Sequence, residues 1–229
     1  MPYFDGPRGR LHHRRWPVGN PAAVIALLPG IGQHSGHYHR FARALSAARI
    51  ELWTLDTSGH GLSEGDAEHP GTLPELSADA HAFLDLIPTA APLFLMGHSL
   101  GAATAVAALN PEAAATAGGV PPLSGLILCG TPKAVPLGES PRSARGTVPV
   151  RGAAGGQTEY APLESIPVLI VHGADDRRAP IAPVREWSRR VSADFREYPD
   201  AGHDLLHEPV QAQVTADISD WVLTRVAPR

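Results

Sequence analysis

Short apolar runs punctuate the chain at residues 22–28 (AAVIALL), 50–55 (IELWTL), 92–96 (PLFLM), 123–129 (LSGLILC) and 167–171 (PVLIV). Each has the length of a strand, and most are apolar on consecutive positions. A strand wetted on one face alternates; a strand covered on both faces has no polar side to show, as in a parallel sheet. Residues 195–198 (FREY) read as a further strand. Between the runs, apolar residues recur at three-and-four spacing: Tyr38, Phe41, Leu45 and Ala48; Leu76, Ala80, Phe83, Leu84 and Ile87; Val184, Trp187 and Val191; Val210, Val214, Ile218 and Trp221. Thr72 and Glu75 stand at the spacing of a capping box before the second of these stripes. This alternation predicts an α/β fold with a mostly parallel central sheet and helices on both faces.

One stretch breaks the pattern. Residues 131–165 are rich in Gly, Pro, Ser and Arg and carry almost no periodic apolar positions. A loop of this length inside a compact domain reads as a lid or functional segment, or as a solvated excursion. The 229 residues suit one domain spanning 1–229, with 131–165 as a short irregular cap within it. Hydrophobic residues make up 43% and charged ones 18%, which excludes a wholly disordered chain. The net charge of −4 lacks the basic excess of a nucleic-acid binder, so the Arg14–Arg15, Arg177–Arg178 and Arg189–Arg190 pairs read as solvated surface. Cys129 is the single cysteine and excludes an internal disulfide. The N-terminus has no apolar stretch, and no run approaches the ~18 residues of a membrane helix. The expectation is a soluble cytoplasmic protein with no transmembrane segment; nothing in the chain speaks to its oligomeric state.

The sharpest chemical signal is Gly97-His98-Ser99-Leu100-Gly101, set between the strand PLFLM and the small-residue helical segment AATAVAAL. In this strand–turn–helix setting G-x-S-x-G lifts the serine hydroxyl clear of the sheet. A serine needs a base to take its proton, and the base is oriented by a carboxylate; in this arrangement the chain order is Ser, acid, His. Two downstream loops supply candidates: HGADDRRAP from His172, holding Asp175 and Asp176, and PDAGHD from Pro199, holding His203. Both follow strands and so can share a sheet edge with Ser99. His203 fits the order, whereas His172 precedes the acids. An oxyanion needs backbone N–H groups, and the candidates are the amide of Leu100 and, in the Gly-rich loop after AAVIALL, that of Ile31. His34, His37 and His39 in that loop lack a nearby Cys or carboxylate to complete a ligand set, so no metal is expected. No dinucleotide or phosphate-loop motif is present, so no cofactor is expected either.

The stretches PGIGQHSGHYHRFARAL, LDTSGHGLSEG, MGHSLGA, HGADDRRAP and YPDAGHDLLHEP, together reaching from about Leu11 to Trp221, resemble the α/β-hydrolase superfamily. More narrowly the chain resembles its monoacylglycerol lipase/lysophospholipase-like branch, of the serine aminopeptidase S33 type. The resemblance implies Ser99 as nucleophile, His203 as base and, by the spacing from the glycine, Asp176 rather than Asp175 as the acid, with Ile31 and Leu100 amides as the oxyanion hole. It implies a serine hydrolase acting on a monoacylglycerol or similar single-acyl ester. Two departures stand out: Pro29 where the family usually has His, and the short 131–165 interval where it carries a helical cap. A reduced cap makes a broader carboxylesterase for short or bulky esters the neighbouring expectation. A non-catalytic binding module on the same fold and acyl transfer to an acceptor other than water are the remaining ones.

Overall fold

The apolar runs become the middle of one eight-stranded sheet in a computed structural model that describes residues 2–88, 90–110, 114, 119–131, 163 and 165–227. The strands are β1 (Tyr3–Gly6), β2 (Gly9–Trp16), β3 (Ala23–Leu28), β4 (Ile50–Asp56), β5 (Leu93–His98), β6 (Leu123–Cys129), β7 (Val168–Gly173) and β8 (Asp194–Tyr198). Their order across the sheet is β1-β2-β4-β3-β5-β6-β7-β8. β2 pairs antiparallel with β1 and β4; the six strands β4, β3, β5, β6, β7 and β8 are mutually parallel. Among the described residues no helix is long and apolar enough to cross a membrane. Residues 132–162 and 164, where the short cap is expected, lie outside the described residues.

Continuous apolarity follows from burial on both faces. Along β3, Val24, Ala26 and Leu28 enter one core, and Ala23, Ile25 and Leu27 enter the other. The first core is closed by α2 (Leu73–Leu84), α3 (Leu100–Ala108) and α4 (Ile181–Arg190), through residues such as Phe83, Ala105 and Trp187. The second is closed by α1 (His39–Ala47) and α5 (Gln211–Val226), through Phe41, Leu45, Ile218 and Trp221. At the start of α2 the Thr72 N–H donates to the Glu75 carboxylate at 2.7 Å, the reciprocal bond expected of that spacing.

The β1–β2 hairpin was not legible as apolar pattern, because GRLHHRRW is mostly polar. Its stability comes from its partners instead. The Arg15 guanidinium forks onto Glu51 at 2.8 and 3.1 Å, and the His13 ring stacks on Trp53 at 5.1 Å. Burial opposes charge on Glu51, but the bonds from Arg15, Trp53 and the Val18 N–H win and hold its carboxyl below the usual range.

Candidate active site

All the singled-out loops leave the sheet at the C-terminal edge of its parallel strands, where the backbone of an open α/β sheet leaves a crevice. Ser99 joins β5 to α3 with φ 52° and ψ −115°, in the left-handed half of backbone space. The turn can be that tight because of the flanking glycines. A methyl at Gly97 would overlap the Gly101 carbonyl, and one at Gly101 would overlap the Leu28 carbonyl oxygen of β3. The Ser99 N–H donates to the Cys129 carbonyl of β6 at 2.9 Å, which anchors the turn to the neighbouring strand.

The Ser99 hydroxyl lies 2.8 Å from His203 Nε2, and His203 Nδ1 lies 2.7 Å from Asp176 Oδ2. His203 and Asp176 are buried and Ser99 is half-buried. Asp176 Oδ1 also accepts the N–H groups of Arg178 and Ala179 at 2.9 and 2.8 Å. Burial works against the charge of Asp176, but the bonds from His203 and the Ala179 N–H prevail and keep its carboxyl below the usual range. With Asp176 an ionised acceptor, His203 Nδ1 carries the proton, and Nε2 presents a lone pair to the serine O–H. Asp175 is exposed and makes none of these contacts; its N–H bonds the Ala201 carbonyl at 2.9 Å. His172 stands behind the acid, with Nε2 2.7 Å from the Ala179 carbonyl and 3.4 Å from Asp176 Oδ2.

The loop after β3 folds against the same point. A methyl built on Gly30 would stand 3.2 Å from Ser99 Cβ, so the backbone leading into Ile31 abuts the serine. The Ile31 side chain is 60% exposed. Leu100 opens α3, where an N–H has no carbonyl inside the helix to receive it. The three histidines of the loop are occupied otherwise. His34 Nδ1 accepts the Gly36 N–H at 3.1 Å, His37 Nδ1 faces the His34 N–H at 3.3 Å, and His39 Nε2 lies 3.3 Å from Arg14. Among the described residues no group of three or more potential ligands is placed to hold a metal.

Several residues here escaped the sequence reading. Asp56, at the end of β4, accepts the Ser35 N–H at 2.6 Å and the Leu62 N–H at 3.1 Å and pairs with His12 at 2.8 Å, tying two loops to β2. His98, one residue before Ser99, has Nδ1 2.8 Å from Gln33 Oε1 and Nε2 3.0 Å from the His203 carbonyl oxygen. Its burial lowers its pKa to about 4, against the upward pull of that carbonyl. A neutral His98 thus has one N–H to serve two oxygens. Its signal in the sequence is only a polar residue just beyond an apolar run.

The serine aminopeptidase S33 family model matches residues 19–152, more than half of the chain. The monoacylglycerol lipase of Mycolicibacterium smegmatis is 28% identical, over 97% of this chain and 96% of that protein. Its aligned span of 276 positions exceeds the 229 residues of this chain, so part of that relative has no counterpart here. Human monoglyceride lipase is 34% identical over 46% of this chain and 38% of its own length. A soluble variant of the Saccharomyces cerevisiae monoglyceride lipase, solved with a substrate analogue, superposes with a TM-score of 0.74 at 18% identity, covering 99% of this chain and 95% of that one. The sheet order, the tight serine turn and these matches agree: the chain is a hydrolase of the lipase and esterase kind and belongs to the serine aminopeptidase S33 family of α/β-hydrolases, in its monoacylglycerol lipase-like branch.

Proposed function

We propose that this protein cleaves single-acyl carboxylic esters through a serine-bound acyl intermediate. The observation that carries the reading is the unbroken hydrogen-bonded chain Ser99 Oγ, His203, Asp176, at 2.8 and 2.7 Å. His203 takes the Ser99 proton as the oxygen attacks the ester carbonyl. The charge that develops on the carbonyl oxygen is received by the Leu100 and Ile31 N–H groups, whose worth lies in being fixed before the reaction begins. Collapse of the tetrahedral species expels the alcohol, which leaves with the proton held by His203. A water then gives its proton to His203, attacks the acyl-serine, and releases the acid and the free hydroxyl. Asp176 keeps the imidazole in the useful tautomer and stabilises its cationic form.

The full-length likeness to a monoacylglycerol lipase supports ester over amide cleavage, although the family model carries a peptidase description. The test is hydrolysis of a graded panel of p-nitrophenyl esters and monoacylglycerols, with p-nitroanilides alongside, and labelling by a serine-directed phosphonate. Ester turnover, a label on Ser99, and a loss on the order of 10⁶ in kcat for Ser99→Ala are expected. Turnover by Ser99→Ala near the native rate refutes the mechanism; a preference for anilides refutes the ester assignment.

A further inference from the structure

Pro29 offers neither a polar side chain nor a backbone N–H, and Gly30, Ile31 and Gly32 have no polar side chain, so Gln33 is the first polar side chain of the loop that carries Ile31. Its side-chain amide meets four partners. Gln33 Oε1 accepts the Tyr38 hydroxyl at 2.5 Å and the Gly30 N–H at 3.3 Å, and it lies 2.8 Å from His98 Nδ1. Gln33 Nε2 donates to Asp204 Oδ1 at 3.2 Å. Only this orientation of the amide serves the set, since two of the neighbours are donors and the fourth is a carboxylate. Tyr38 is fully buried, and its hydroxyl pKa is pushed well up by burial, so it remains a donor. The packing leaves no slack: a methyl on Gly30 would stand 3.2 Å from Gln33 Oε1, 3.1 Å from His98 Nδ1 and 3.2 Å from Ser99 Cβ. His98 Nε2 lies 3.0 Å from the His203 carbonyl oxygen, so the single N–H of the neutral ring goes either to that oxygen or to Gln33 Oε1.

We propose that Gln33 is a positioning residue for the hydrolysis: its amide sets the Gly30–Ile31 backbone, and so the Ile31 N–H, against Ser99, and fastens that loop to the segment carrying His203. This rests on the roles assigned to Ser99 and His203 above. An oxyanion donor acts in the transition state and not on the bound ester, so displacing it lowers kcat and leaves KM nearly unchanged. The near-isosteric Gln33→Glu separates the two halves of the tie. It keeps an acceptor for Tyr38 and Gly30 but sets a second carboxylate against Asp204.

The experiment measures kcat and KM of the native protein, Gln33→Ala and Gln33→Glu on one p-nitrophenyl ester across pH, with active sites counted by phosphonate titration. Gln33→Ala should lose on the order of 10² in kcat with KM within a few-fold. Gln33→Glu should lose about tenfold at neutral pH, and its rate relative to native should recover as acid neutralises the introduced carboxyl. A Gln33→Ala kcat within about threefold of native, or a loss confined to KM, overturns the inference. If Gln33→Ala does not fold, Gln33→Glu decides, and a ratio to native that is flat with pH overturns it. A native protein that neither hydrolyses the ester nor takes the label at Ser99 overturns the underlying reading, and this inference with it.

Discussion

Two adjacent aspartates after β7 differ in everything but chemistry. Asp176 is buried and receives His203, while Asp175 faces solvent. Asp176→Asn should cost on the order of 10⁴ in kcat, because an amide favours the wrong imidazole tautomer and cannot stabilise the cation. Asp175→Asn should change little, and kcat of the two purified variants checks the ranking. Residue types alone left both acids open; the family spacing chose between them. Gln33 and His98 were out of reach of such reasoning, because Gln33 finds Asp204 171 positions away and His98 finds the His203 carbonyl 105 away. His98 also makes a pH prediction. Its burial lowers its pKa from 6.5 to about 4, so between those values the unfolded chain binds a proton that the folded one refuses. Stability is therefore full above the unfolded value and falls as pH drops through the window, by on the order of 2 kcal/mol at pH 5 relative to pH 7.5. Asp176, held low by its partners, adds a loss of the same sign at more acid pH. Urea midpoints at the two pH values measure the slope. His98→Asn should flatten it, and an unchanged slope would remove His98 as its source.

Elements were legible wherever one physical demand ruled the whole segment. β3, β4, β5 and β7 are buried throughout, which favours apolar residues at most positions, and the runs stood out. β5 still runs two residues past its apolar stretch, through Gly97 to His98, whose buried ring has an oxygen beside each nitrogen and one N–H to give. β2 was missed for the opposite reason: it is held by an ion pair and a stacked histidine, which depend on β4 and leave no periodic trace. The joint between β5 and α3 carries a stability prediction. A methyl at Gly101 would overlap the Leu28 carbonyl oxygen, which is backbone of a central strand and cannot swing away. Gly101→Ala should lose roughly 3 kcal/mol or more, at the upper end of overpacking costs, and lose esterase activity with it. Gly19 has open space around it, so Gly19→Ala should leave the urea midpoint within about 0.5 kcal/mol of native and serves as the control. Equal midpoints for the two variants would mean that the strand–helix approach tolerates a side chain.

For the whole molecule, the range of acyl chains turns on what covers the crevice above Ser99. The Mycolicibacterium smegmatis relative has positions with no counterpart here, and the interval that would supply a cap is residues 131–165, nearly all outside the described residues. Its sequence carries few patterned apolar residues and includes Arg142, Arg145 and Arg151, a composition suited to a solvated strip more than to a sealing helix pair. On the loop that abuts Ser99, Ile31 is 60% exposed, apolar surface open to a short acyl chain without a tunnel. A closed tunnel gains ~0.8 kcal/mol for each methylene it buries, which is roughly fourfold in kcat/KM per carbon. An open crevice gains a fraction of that and stops gaining once the chain outgrows it. We therefore expect kcat/KM across p-nitrophenyl esters and monoacylglycerols to rise gently, peak at short to medium acyl chains and change little at a lipid interface. A climb of severalfold per carbon that continues into long-chain monoacylglycerols, with weak turnover of short esters, would mean that this short interval seals the site after all.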